Sequence, residues 1–297
     1  MPRSLLSKTM FTPVLKRTIR CRRVFLFSAF LGLAATALAA DEQTVLADVV
    51  YKQDAALAPG EAEPCSLDLT LPGKGTGYPS ILWLHGGGLT GGSRKTAVSR
   101  RVAERLASAG IAVAMADYRL NPNVTFPAYI DDVAAAFAWL KNNIARHGGD
   151  PEKVFIGGHS AGAYLALMVA LDGRYLTAAG LDESGLAGVV ALSSQTTTHF
   201  TVRAERRPGD DRMIVDDGAP LFHVSRRGFP FLILYAGNDM ALRVEENRLL
   251  AGALRHAGCE TVIDHLYADR DHGTIVSWMD RPDDAVAKDV IQFLHSR

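Results

Sequence analysis

The chain has 297 residues, 48% hydrophobic and 22% charged, which suits one large domain that buries its core without disulfide or metal staples. Its formal net charge of +0 hides an asymmetry: residues 1–40 hold seven of the 32 basic side chains and no acidic one, leaving 25 basic against 32 acidic beyond them. A body near −7 offers no electrostatic footprint for nucleic acid or anionic lipid.

The chain opens as a targeting segment spanning residues 1–40. Basic residues through Arg23 precede an apolar run from Val24 to Leu38, and Ala37-Leu38-Ala39 offers the small residues of a cleavage site. At about 15 residues the run is short for a membrane span, so no stable anchor is expected after cleavage. Arg22-Arg23-Val24-Phe25-Leu26 resembles the twin-arginine export pattern, departing from it at Cys21 and Phe27. By that route or the general secretory one, the expected destination is the bacterial periplasm or the medium. Cys21 precedes the apolar run, which argues against a lipoprotein. Cys65 and Cys259 match neither a metal site nor a disulfide framework and are expected not to pair.

Residues 41–297 read as one α/β domain. Val45–Tyr51 and Ser66–Leu71, joined through Pro59-Gly60, predict an antiparallel opening pair. Ser80–Leu84 is a continuous apolar strand running into Gly86-Gly87-Gly88. Val98, Val102 and Leu106 then mark a helix closed by Gly110, and Ile111–Ala116 is the next strand. Ile130, Val133, Phe137, Leu140 and Ile144 line one face of a long helix. The short strand Val154–Ile156 leads into Gly157-Gly158-His159-Ser160-Ala161-Gly162 and a further helix. Val189–Leu192, Phe231–Ala236 and Thr261–Tyr267 read as buried strands. A helix carrying Val244, Leu250 and Leu254 precedes the last of these, and 283–295 closes the chain as a helix. Between the first two strands, 195–229 is polar and weakly periodic, a short cap-like insertion. Strands alternating with helices imply a mostly parallel sheet covered on both faces, with its sites at the strand C-termini.

Gly158-His159-Ser160-Ala161-Gly162 is a GxSxG sequence between a predicted strand and a predicted helix. That turn lifts a serine hydroxyl clear of the sheet, its small neighbours let the backbones approach, and the helix N-terminus aims N–H groups at the reaction centre. His85-Gly86-Gly87-Gly88 ends an earlier strand. The N–H groups of Gly87 and Gly88, with that of Ala161, are candidates to stabilise the oxyanion of a tetrahedral intermediate. His85 itself reads as a brace for the loop.

A serine nucleophile needs an imidazole base and an orienting carboxylate. Enzymes built on this strand-to-helix turn carry them in the order Ser, acid, His, each after a strand. His265 lies inside the final strand and His272 in the loop after it, so His272 is the expected base. Asp239 follows the preceding strand and is the expected acid, with Asp269 and Asp271 as rivals.

These motifs, with Asp117-Tyr118-Arg119-Leu120, Phe126-Pro127-Ala128, Asp131-Asp132, Gly237-Asn238-Asp239 and Asp271-His272-Gly273, resemble the α/β-hydrolase superfamily. Within it, they resemble the hormone-sensitive-lipase-like esterases over roughly residues 75–295. The resemblance implies a mostly parallel eight-stranded sheet and a carboxylesterase that cleaves small acyl esters without cofactor or metal. Arg119 and one of Asp131 or Asp132 are then an internal structural pair. Residues 41–64 show no amphipathic cap helix, and the polar 195–229 segment does not provide a large apolar acyl pocket. The pattern is therefore closer to small exported esterases and the arylformamidase-like branch than to true lipases. A peptidase of the same fold and a non-catalytic binding protein on a hydrolase scaffold are the alternatives. The first usually carries a gating domain for which this chain has no room, and the second usually lacks the nucleophile or the base.

Overall fold

The computed structural model describes residues 42–53, 64–209 and 211–296. The segment 1–40, expected to be an export signal, and the expected Pro59-Gly60 joint lie outside these residues. Strands β1 (Thr44–Val50) and β2 (Ser66–Leu71) pair antiparallel, with Thr44 opposite Leu71 and Val50 opposite Ser66. β3 (Tyr78–Leu84) is buried along its whole length and is followed by α1 (Ala97–Ser108), whose cap Thr96 accepts from Ser99 N. Next come β4 (Ala112–Ala116), α2 (Ala128–Asn143) and β5 (Gly149–His159), then α3 (Ala161–Leu171) and α4 (Gly173–Ala178). The second half holds β6 (Gly188–Leu192), α5 (Phe200–Arg206), β7 (Phe231–Asn238) and α6 (Arg243–His256). β8 (Val262–Asp271), α7 (Thr274–Ser277) and α8 (Ala285–His295) close it.

The strands form one eight-stranded sheet in the order β1-β2-β4-β3-β5-β6-β7-β8, parallel from β4 onward. Successive side chains of a strand point to opposite faces, so β3 sends Leu82 and Leu84 to one core and Ile81 and Trp83 to the other. The first core is closed by α2, α3 and α6, the second by α1, α7 and α8. Every residue of α3 is buried, which explains its continuous apolar run. Cys65 precedes β2 and Cys259 precedes β8, near opposite ends of the sheet, and the two are not joined.

Three strands run longer than their sequence reading. β5 begins at Gly149, well before Val154, because Gly149 already pairs with Tyr78 of β3. β7 and β8 run on to Asn238 and Asp271, which pair with each other. The polar run Ser193–His199 is buried. Some of its partners come from α6: Glu246 accepts from Thr196 N at 2.8 Å and Thr197 Oγ1 at 3.0 Å, and Asn247 Nδ2 donates to Ser194 O at 2.8 Å.

Candidate active site

β5 ends at the centre of the sheet, and Ser160 makes the turn from it into α3. Its backbone takes φ 56 and ψ −119, a left-handed conformation that a non-glycine residue adopts only when its surroundings enforce it. Here Ser160 N–H donates to Leu192 O of β6 at 2.9 Å, and Ser160 O accepts from Tyr164 N at 3.0 Å. The flanking glycine is equally constrained: a Cβ on Gly162 would lie 2.2 Å from Leu84 O. The GxSxG spacing is thus imposed by the close approach of the β3 backbone.

The pairing of Asn238 with Asp271 sets the next residue of each parallel strand, Asp239 and His272, side by side. His272 Nδ1 lies 2.6 Å from Asp239 Oδ1, and His272 Nε2 lies 2.8 Å from Ser160 Oγ. The three residues sit 33 and 112 positions apart and meet only because β5, β7 and β8 end along one edge. The Asp239 carboxylate is 1% exposed. Burial alone would raise it, but hydrogen bonding from His272 and the Ser193 hydroxyl outweighs burial and holds it below its ordinary range. The rivals do other work. Asp269 is exposed and pairs with Arg270, while Asp271 Oδ1 accepts from Gly273 N at 2.9 Å and Thr274 N at 2.8 Å, fixing the start of α7.

The glycine loop faces this row. Gly87 at φ 127 and Gly88 at φ 65 use backbone conformations that favour glycine, and a Cβ on Gly87 would lie 2.1 Å from Gly91 O. Their carbonyls are engaged: Gly87 O accepts from Thr90 N and Gly91 N at 3.1 Å, and Gly88 O accepts from Thr201 Oγ1. Ala161 opens α3, so its N–H has no acceptor inside the helix. His85 braces the loop as expected. Its ring stacks on Tyr118 at 4.5 Å, and Tyr118 Oη donates to His85 O at 2.8 Å. Arg119 makes two 2.8 Å bonds to Asp132, which also receives Lys52 at 2.5 Å, so the structural pair uses Asp132 and not Asp131.

Ser160 and His272 border a cavity of about 500 Å³ that Gly86, Gly87, Gly88 and His159 also line. Phe200 and Met240 stand at its rim, 42% and 49% exposed. Its apolar wall is Trp83, Val98, Val102 and Val276, from β3, α1 and α7. The polar 195–229 segment, in which no large apolar acyl pocket is expected, contributes Phe200. His159, not singled out in the sequence, makes its contacts with residues distant in the chain. Among the described residues no group of three or more His, Cys, Asp or Glu is arranged to hold a metal, and no helix is long and apolar enough to cross a membrane.

Residues 67–254, more than half of the chain, match the family model BD-FAE. The chain belongs to the BD-FAE family. This places it among the hormone-sensitive-lipase-like α/β-hydrolases. The BD-FAE span runs from β2 through α6, so it contains Ser160 and Asp239 and stops before His272. Esterase LipQ of Mycobacterium tuberculosis is 30% identical over 203 residues, covering 62% of this chain and 47% of LipQ. LipM of the same organism is 30% identical over 215 residues, covering 66% of this chain and 48% of LipM. The BD-FAE chain thus spans about half the length of these two relatives. Propionate-bound esterase 2 of Thermogutta terrifontis superposes with a TM-score of 0.65 at 23% identity, over 84% of this chain and 92% of that one, which establishes the shared fold.

Proposed function

We propose that the protein is a serine carboxylesterase that cleaves small acyl esters through an acyl-enzyme. The observation that carries this reading is the continuous chain from Ser160 Oγ to His272 at 2.8 Å and on to Asp239 at 2.6 Å, beside an open cavity. In this reading His272 Nε2 takes the Ser160 proton as Oγ attacks the ester carbonyl. The tetrahedral oxyanion lies against the N–H groups of Gly87, Gly88 and Ala161. His272 returns the proton to the departing alcohol, and water repeats the cycle to release the acid. Asp239 holds the tautomer in which Nδ1 carries hydrogen, and it balances the imidazolium. The names of the relatives, esterases among them, support ester substrates.

A fluorophosphonate probe, which needs only an activated serine, tests this directly. Wild type should label at Ser160, and Ser160→Ala should lose both labelling and roughly 10⁴–10⁶ in ester turnover. Ser160→Ala turning over within tenfold of wild type would end the proposal. We further propose that the enzyme works outside the bacterial cytoplasm. Support for this comes from the basic and apolar pattern of residues 1–40.

A further inference from the structure

His159 stands at the free position of the GxSxG sequence, immediately before the nucleophile, and the proposed chemistry makes no use of its ring. The ring is nonetheless tied to the base. Its Nε2 lies 2.7 Å from the main-chain carbonyl oxygen of His272, and the two imidazole centroids are 4.8 Å apart. A carbonyl only accepts, so Nε2 carries the hydrogen and Nδ1 keeps the lone pair. The contact reaches across 113 residues, from the end of β5 to the end of β8, past two intervening strands. The same ring is wedged against the glycine loop: a Cβ on Gly86 would lie 3.1 Å from His159 Nδ1 and 3.2 Å from Ser160 Cβ.

We infer that His159 is a positioning residue for acyl transfer, clamping the His272 backbone so that its imidazole meets Ser160 Oγ. This rests on the serine-hydrolase reading and extends it. The β8–α7 turn is held from within by Asp271, and the His272 ring is held at Nδ1 by Asp239. The His159 bond ties that turn's main chain directly to the nucleophile's own strand. A misplacement of about 1 Å in such a site can lower the rate roughly 10²-fold.

The clamp must stay uncharged, because a cation beside His272 would oppose the imidazolium that forms during catalysis. Burial pushes the His159 ring down to about 3, and the neighbouring His272 pushes the same way. It therefore remains a neutral donor wherever an imidazole base can work.

Two substitutions separate donation from ring packing. His159→Phe keeps the ring and removes the N–H, whereas His159→Gln places an amide N–H near the Nε2 position. Fluorophosphonate labelling rates, together with kcat and KM on p-nitrophenyl butyrate, should fall roughly 10–100-fold in labelling and kcat for His159→Phe, with KM within about threefold. His159→Gln should recover to within about fivefold of wild type. Imidazole ¹⁵N spectra of the wild type should show His159 as the Nε2–H tautomer from pH 8 to pH 5, a readout that needs no variant to fold. The inference is overturned by a folded His159→Phe at wild-type rates, by a loss confined to KM, by His159→Gln as slow as His159→Phe, or by an Nδ1–H or charged His159. Failure of the wild type to label at all would instead overturn the serine-hydrolase reading beneath it.

Discussion

Asp239 accepts from its own neighbour Met240 N at 2.7 Å and from His272 Nδ1 at 2.6 Å through the same oxygen. Asp239→Asn puts an amide where the imidazole expects an anion. It should lower kcat roughly 10²–10⁴-fold with little change in KM, because the acid acts on the charge that develops in the transition state. Asp269→Asn and Asp271→Asn should each stay within about tenfold, the first because its carboxylate is outside the site and the second because Asn keeps an accepting oxygen for the α7 turn. Kinetics on the three purified variants decide this, and a collapse at Asp269 or Asp271 with Asp239→Asn near wild type would relocate the acid. The place of Asp239 just after a strand was legible in the sequence because it is a local property. The contact of His159 with the His272 carbonyl was not, since it depends on the sheet order and on a backbone atom that carries no residue type. The same limit left Arg119 between two candidate partners, which only the orientation of α2 separates.

The buried run between β6 and α5 shows where composition misleads. Six of the seven residues from Ser193 to His199 are Ser, Thr or Gln, yet the run is buried. Glu246 and Asn247, with Asp216 and the main chain of Ile214, Leu221 and Leu234, satisfy its donors and acceptors in the interior. His199 closes the run by accepting Thr201 N at 3.2 Å on Nδ1, capping α5. Burial pushes this ring down to about 3, as it does His159, with Arg243 and Arg203 adding to the shift at His199. The unfolded chain takes up protons near the ordinary imidazole value of about 6.5, so both rings contribute full stability above that pH. The contribution is lost progressively as pH falls from there toward the folded values. At pH 4.5 each ring should contribute on the order of 2–3 kcal/mol less than at pH 7.5. Urea unfolding at the two pH values measures the loss, and an unchanged midpoint would mean that the rings are not held neutral.

For the molecule as a whole, the parallel sheet and the eight-strand count were readable from the alternation of apolar runs and from the motif order. The extra length of β5, β7 and β8 was not, because pairing carries those strands past their apolar segments into polar residues. The export proposal belongs at this scale too. Arg22→Lys combined with Arg23→Lys should hold the precursor in the cytoplasm, and cell fractionation that finds the double variant exported normally would leave only the general secretory route. The strand order also divides the proposed machinery unequally. Ser160 rides on β5, which is flanked by β3 and β6, whereas His272 follows β8, which among the described residues is an edge strand paired only with β7. Loosening that margin separates base from nucleophile while the elbow is still intact. Loss of turnover on warming therefore reports the fraying of one border of the sheet, and it should run ahead of the melting of the interior.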